Sequence, residues 1–286
     1  MKKSLYKSVA VKEKVISLYH KKLKELNIDY DFVKVNTSFG MTNVIKTGEA
    51  NKPPLVLVHG ANGCAPIALE VYPNLTKKYQ VFSVDVLGEP NLSNETRLNK
   101  KDNSFGKWLN EVINKLAIDE VTLVGFSLGG LVIWKTLLDD ESKIKEAFLT
   151  ASVGIVNGNP LKGLFKIFIP MKRYIKSGNP DLLKKFIDAM FSEQDDFAFD
   201  FLGLVVKGFD MDFSPIPLIK EKEAKNIKTP ITIIGAENDI MFPGQKMIKR
   251  AKKIFPSLKK MLFLENSKHV QSRADNDRIE ELILGG

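Results

Sequence analysis

A chain of 286 residues with 44% hydrophobic and 27% charged side chains can bury one large core and needs no second. Its formal net charge is +9, but the cations are nearly all lysines spread along the whole length. The interleaved arginines and aromatics of a nucleic-acid surface are missing, so no nucleic-acid partner is expected. The single cysteine, Cys64, excludes an internal disulfide and a cysteine-based metal cluster. It reads as a small apolar filler in a reducing compartment. Met1-Lys2-Lys3 resembles the charged start of a signal peptide, yet no apolar run of about 7–15 residues follows. No stretch approaches the ~20 apolar residues of a transmembrane helix, so a cytoplasmic location without stable membrane insertion is expected.

In chain order, residues 9–26 read as an amphipathic helix with Val11, Val15, Leu18, Tyr19, Leu23 and Leu26 on one face. Tyr30 to Asn36 and Met41 to Thr47 follow as two antiparallel strands around a turn near Ser38-Phe39-Gly40. Short apolar, β-branched runs then recur at Leu55–Val58, Val81–Val84, Val121–Val124, Ala147–Thr150, Ile231–Ile234 and Met261–Leu264. Helical patterns separate most of them, at Ala65–Lys78, Phe105–Leu116, Leu128–Leu138 and Lys246–Ile254. The lysines from Lys246 to Lys260 read as one solvated helix face. This rhythm predicts an α/β fold with a mostly parallel, doubly wound sheet.

The rhythm breaks once, between Thr150 and Ile231. That span holds 9 of the 18 phenylalanines, at 165, 168, 186, 191, 197, 199, 201, 209 and 213. It reads as short helices broken at Pro160, Pro170 and Pro180. The phenylalanines suit the core of a small helical subdomain, or a lid whose aromatics line an apolar substrate pocket.

The chemistry centres on Gly125-Phe126-Ser127-Leu128-Gly129, set between the strand Val121–Val124 and an apolar helix. Strand, G-x-S-x-G, helix is the context of a nucleophile elbow, in which a strained turn presents the serine hydroxyl above the sheet. Gly125 and Gly129 are placed where a side chain would collide with backbone. Such a serine needs two backbone N–H groups aimed at the developing oxyanion. The N–H of Leu128, at a helix N-terminus, supplies one. That of Ala61, in His59-Gly60-Ala61-Asn62-Gly63, supplies the other, with His59 and Gly60 shaping the turn. An acid to orient the base is found in Glu237-Asn238-Asp239 after the seventh strand. Asp239 is preferred over Glu237, which lies nearer the strand end. Of the three histidines, His20 sits among lysines and His59 belongs to the oxyanion turn, which leaves His269 as the base. Phe126, Asn62, Met241, Phe165 and Phe168 are candidate pocket residues.

With these residues in hand, the chain resembles an α/β-hydrolase over roughly residues 30–284, in the family's order of Ser127, Asp239, His269. Within that superfamily it is similar to bacterial carboxylesterases with an N-terminal helix. They share the turn at Phe39-Gly40-Met41-Thr42 and Pro-Pro-Leu-Val before His-Gly. The resemblance implies an eight-stranded, mostly parallel sheet with a helical cap after the sixth strand. Its divisions are an N-terminal extension (1–29), two core parts (30–154 and 227–286) and a cap (155–226). It implies hydrolysis of a small-molecule carboxylic ester with an apolar acyl or aromatic group, through an acyl-serine and without cofactor or metal. Carbon–carbon bond hydrolysis, perhydrolysis, acyl transfer to another alcohol, and a catalytically silent binding protein stay open, as does the oligomeric state. Two departures stand out. Asn91 replaces the second glycine of the family's turn within Asp85–Ser93; asparagine tolerates a left-handed backbone, so the turn can survive with its detail open. No bulky aromatic follows His59-Gly60, so Ala61 and Asn62 leave room beside the oxyanion site.

Overall fold

The computed structural model describes residues 4–285; the Met1-Lys2-Lys3 start lies outside them. The first described helix, α1 (Val9–Glu25), is capped by the Ser8 side chain and buries Val15, Tyr19 and Leu23. Strands β1 (Tyr30–Thr37) and β2 (Gly40–Thr47) form the expected hairpin, and β3 (Pro54–Val58) is buried from its second residue onward. Helix α2 (Ala65–Val71) is shorter than its sequence pattern, because Pro73 cannot donate to the ladder and a separate 3-10 turn takes over at Leu75–Lys77. The chain continues through β4 (Gln80–Val84), α3 (Ser104–Lys115), β5 (Val121–Phe126), α4 (Leu128–Asp139) and β6 (Ile144–Thr150).

Between β6 and β7 lie α5 (Pro160–Gly163), α6 (Ile169–Ser177), α7 (Pro180–Met190), α8 (Asp196–Gly208) and α9 (Glu221–Ala224). Pro160 and Pro180 punctuate the span as expected, each at the start of a helix behind the capping side chain of Asn159 or Asn179, but Pro170 does not. Pro170 is absorbed into a continuous run, since a π-helical turn at Leu164–Phe168 precedes it and widens the ladder. The sheet then closes with β7 (Ile231–Ala236), α10 (Gly244–Ile254) and β8 (Leu258–Leu264), followed by α11 (Arg273–Leu284), a helix the sequence pattern did not single out. Lys259 and Lys260 belong to β8, so the basic stretch from Lys246 spans a helix and a strand, not one helix face.

The eight strands are ordered β1-β2-β4-β3-β5-β6-β7-β8, antiparallel at β1/β2 and β2/β4 and parallel thereafter. Helices α3, α4 and α10 bury their apolar faces in one core, around Trp108, Leu131 and Ile254. The opposite core joins α1, α2 and α11 to the inserted helices through Tyr19, Leu69, Ile279, Leu183 and Phe201. Helix α1 is therefore wedged beside the inserted helices, with Val11 against Gly208 and Lys22 over the Phe197 ring at 4.1 Å. The chain leaves β3 toward β4 on one side and returns to β5 on the other. That reversal is a switch point of the sheet, and sites in such folds form at the carboxyl ends of the strands beside it.

Candidate active site

Register brings Val58 of β3, Gly125 of β5, Thr150 of β6 and Ile234 of β7 to neighbouring strand ends, and the site residues hang just beyond them. Ser127 follows β5 with φ 53° and ψ −110°, a conformation that costs a non-glycine residue of order 1–3 kcal/mol. The turn is held on both sides. Its N–H donates to Thr150 O at 2.9 Å, and its carbonyl accepts from Gly130 at 3.0 Å and Val153 at 3.1 Å. A Cβ on Gly125 would stand 2.6 Å from the carbonyl of Gly129, and one on Gly129 would strike the Val58 carbonyl of β3. The elbow's glycines thus answer two collisions, one within the turn and one with the neighbouring strand.

His269, in the loop after β8, places Nε2 3.0 Å from Ser127 Oγ and Nδ1 2.7 Å from Asp239 Oδ2. The other carboxylate oxygen of Asp239 accepts the backbone N–H groups of Met241 at 2.8 Å and Phe242 at 2.9 Å, which fixes its plane. All three side chains are buried, while Glu237 is exposed and accepts from Asn266 N–H instead. The rings of Phe126 and Phe242 lie 5.1 and 5.5 Å from the imidazole. The histidine loop is tied to the end of α7, where Val270 N–H donates to Met190 O and Ser192 N–H to Val270 O.

Gly60 lies directly against Phe126 and Ser127, which seats the His59–Gly63 turn beside the elbow. Among the described residues no hydrogen bond runs from the N–H of Ala61 or Leu128, so both donors remain available. His59 is buried; its Nδ1–H donates to Gly60 O at 2.7 Å and its Nε2 accepts from Val86 N–H at 3.0 Å. Burial pulls its pKa down to about 4, so it holds the turn as a neutral imidazole. Cys64 is fully buried at the start of α2, and burial pushes its thiol well above the ordinary range.

The turn within Asp85–Ser93 forms without a left-handed Asn91; the positive φ falls on Gly88, at 75°. Asn91 instead donates from Nδ2 to Val86 O and accepts Ser93 N–H, so its side chain closes the turn. Phe165 is 65% exposed and Phe168 faces Phe213 at 5.9 Å, itself 57% exposed, so Phe165 and Phe168 do not line an enclosed pocket. Phe186, Phe201 and Phe209 form the subdomain core. Phe126 and Met241 are part-buried beside the Ser127–His269–Asp239 cluster, and Asn62 adopts φ 58° in the His59–Gly63 turn.

Sequence reading passed over Glu89. Its buried carboxylate accepts the N–H of Asn62 at 2.6 Å, and burial raises its pKa to about 7. The signal was an acid within a turn otherwise rich in apolar residues, Val86-Leu87-Gly88-Glu89-Pro90. Asp85 was likewise missed as a hub. It gathers Tyr19 OH, Asn43 Nδ2 and Ala65 N–H at 2.8 to 2.9 Å, and burial lifts it to about 6.

The family described as alpha/beta hydrolase fold matches residues 53–189. The solved naproxen esterase (carboxylesterase NP) of Bacillus subtilis superposes with a TM-score of 0.80 at 22% identity, covering 94% of this chain and 95% of that one. The chain has the α/β-hydrolase fold. In sequence, the chain resembles bacterial carboxylesterases. It is 25% identical over 288 residues to carboxylesterase YbfK of Bacillus subtilis, covering 94% of this chain and 93% of that protein. It is 24% identical over 266 residues to the uncharacterized carboxylesterase nap of the same organism, covering 87% and 84%.

Proposed function

We propose that the protein is a serine carboxylesterase acting on small-molecule carboxylic esters with an apolar acyl or aromatic group. The observation that carries this reading is the buried relay from Ser127 Oγ to His269 to Asp239, at 3.0 and 2.7 Å. Its likeness to the two Bacillus carboxylesterases supports it.

In this reading Ser127 Oγ attacks the ester carbonyl carbon while its proton passes to His269 Nε2. Asp239, held by two backbone donors, keeps Nδ1–H oriented and stabilises the imidazolium. The carbonyl π electrons move onto oxygen, which the N–H groups of Leu128 and Ala61 receive. When the tetrahedral intermediate collapses, His269 gives the proton to the departing alcohol. Water then attacks the acyl-serine, its proton goes to His269, and the acid leaves as Ser127 Oγ recovers that proton. Every proton and electron pair is accounted for by these residues, so no cofactor is invoked.

The helices within residues 155–226 would serve as a cap, with residues 1–29 as the N-terminal extension and 30–154 and 227–286 as the catalytic core. The buried thiol of Cys64 suits a cytoplasmic setting.

The test is hydrolysis of a series of p-nitrophenyl esters by the wild type and Ser127→Ala. Activity lost on Ser127→Ala, with the same melting temperature, is the expected result. Wild-type turnover in that variant, or wild-type activity confined to ring-cleavage diketones, would overturn the proposal.

A further inference from the structure

Among the described residues, ten large apolar side chains are exposed, and five of them gather at one place. Leu161, Leu164, Phe165 and Phe168 stand at i, i+3, i+4 and i+7 along the helical run Pro160–Ser177, and Phe213 meets Phe168 edge-on. This stripe is not what attaches the run to the protein. A different set on the same run, Ile167, Met171 and Tyr174, packs into the core with Leu183 and Phe201.

The run also carries Lys162, Lys166, Lys172, Arg173 and Lys176, all exposed. No Asp or Glu occurs in the chain between Glu146 and Asp181. None of the five cations takes part in an ion pair among the described residues. Lys253 and Lys259, in the other basic stretch, are matched to Glu221 and Glu146. An apolar stripe bordered by uncommitted cations is the pattern of a helix that lies in a lipid interface. Two copies of the chain meeting through this face would set five cations against five, on molecules of net charge +9. No helix among the described residues is long and apolar enough to cross a bilayer, so the fit is to a surface.

We propose that the exposed face of Pro160–Ser177, together with Phe213, docks the protein on an anionic phospholipid surface. Leu161, Leu164, Phe165 and Phe168 enter the headgroup boundary while the lysines and Arg173 meet lipid phosphates. Attachment of this kind weakens with salt, because the charge contribution is screened.

The experiment is co-sedimentation of the full chain with vesicles of phosphatidylcholine, and with vesicles of equal parts phosphatidylcholine and phosphatidylglycerol. The Ser127→Ala chain is run beside the wild type, so that docking is read whether or not ester hydrolysis holds. Both should bind the anionic vesicles and release them in molar salt. Lys162→Gln and Lys166→Gln should each weaken binding roughly fivefold. Leu161→Ser with Leu164→Ser should weaken it at least about tenfold. These positions are exposed, so unchanged melting temperatures should accompany the loss. Equal binding to neutral and anionic vesicles, or binding indifferent to these substitutions, would overturn the proposal. So would a wild-type dimer that Leu161→Ser with Leu164→Ser makes monomeric, which would assign the face to a second copy.

Discussion

Glu89 Oε2 accepts a 2.6 Å hydrogen bond from the N–H of Asn62, so a buried carboxyl props the turn that carries Ala61. Burial lifts its pKa from 4.5 to about 7, with Asp212 adding to the rise, against the lowering pull of the Asn62 bond and of Lys100 and Arg97. Between those values the folded chain holds a proton that the unfolded chain has lost. Stability contributed by Glu89 is therefore complete below about pH 4.5 and is lost as pH rises to about 7. Asp85 adds a loss of the same sign between 3.8 and about 6. Urea midpoints for Glu89→Gln should lack the fall between pH 6 and 7 that the wild type shows, since the amide oxygen can accept from Asn62 without titrating. An unchanged fall would assign it elsewhere.

Tyr19 joins the N-terminal helix to the same region, donating its hydroxyl to Asp85 Oδ2 at 2.9 Å within the core. Tyr19→Phe removes one of the donors that make an ionised Asp85 tolerable there. The expected cost is about 1–3 kcal/mol. It should be larger above about pH 6, where Asp85 is ionised, than at pH 5. Denaturation at the two pH values measures the difference.

Asp239→Asn tests orientation rather than attachment. The asparagine carbonyl can keep the bonds from Met241 and Phe242 N–H, while its amide would face His269 Nδ1 and favour the tautomer with a proton on Nε2. That nitrogen could no longer take the proton of Ser127. The proposed mechanism expects a fall in kcat on the order of 10⁴ with little change in melting temperature. A loss of folding in place of activity would make Asp239 a structural residue.

Gly125→Ala and Gly163→Ala should differ in sign. The first drives a methyl to 2.6 Å from Gly129 and from Ile133 Cδ1, in a buried turn that cannot yield; a loss of about 3 kcal/mol or more is expected. At Gly163 a methyl meets nothing within 4 Å and replaces a poor helix former, so a gain of roughly 0.5–1 kcal/mol is expected. Thermal melts of the two variants check both.

Much of this architecture was written locally. The β-branched runs, the G-x-S-x-G turn and the position of each acid and histidine relative to a strand end singled out Ser127, Asp239 and His269, which the fold brings within hydrogen-bond distance. Alternation of strand and helix identified a parallel sheet. Those features are legible because period and turn chemistry act between near neighbours in the chain. Other features depend on what lies across the fold. Pro73 cut a helix short whereas Pro170 did not, because a π turn could absorb the second. Asn91 works through its side chain because Val86 O and His59 stand opposite it. Glu89 became a prop for the His59–Gly63 turn only when a loop 27 residues distant was folded over it and water was excluded. The phenylalanines at 165, 168 and 213 are indistinguishable in sequence from those at 186, 201 and 209, yet the first three face outward and the others form a core. Which face of a helix meets protein is set by the packing of other helices against it, and that information is not local to the helix.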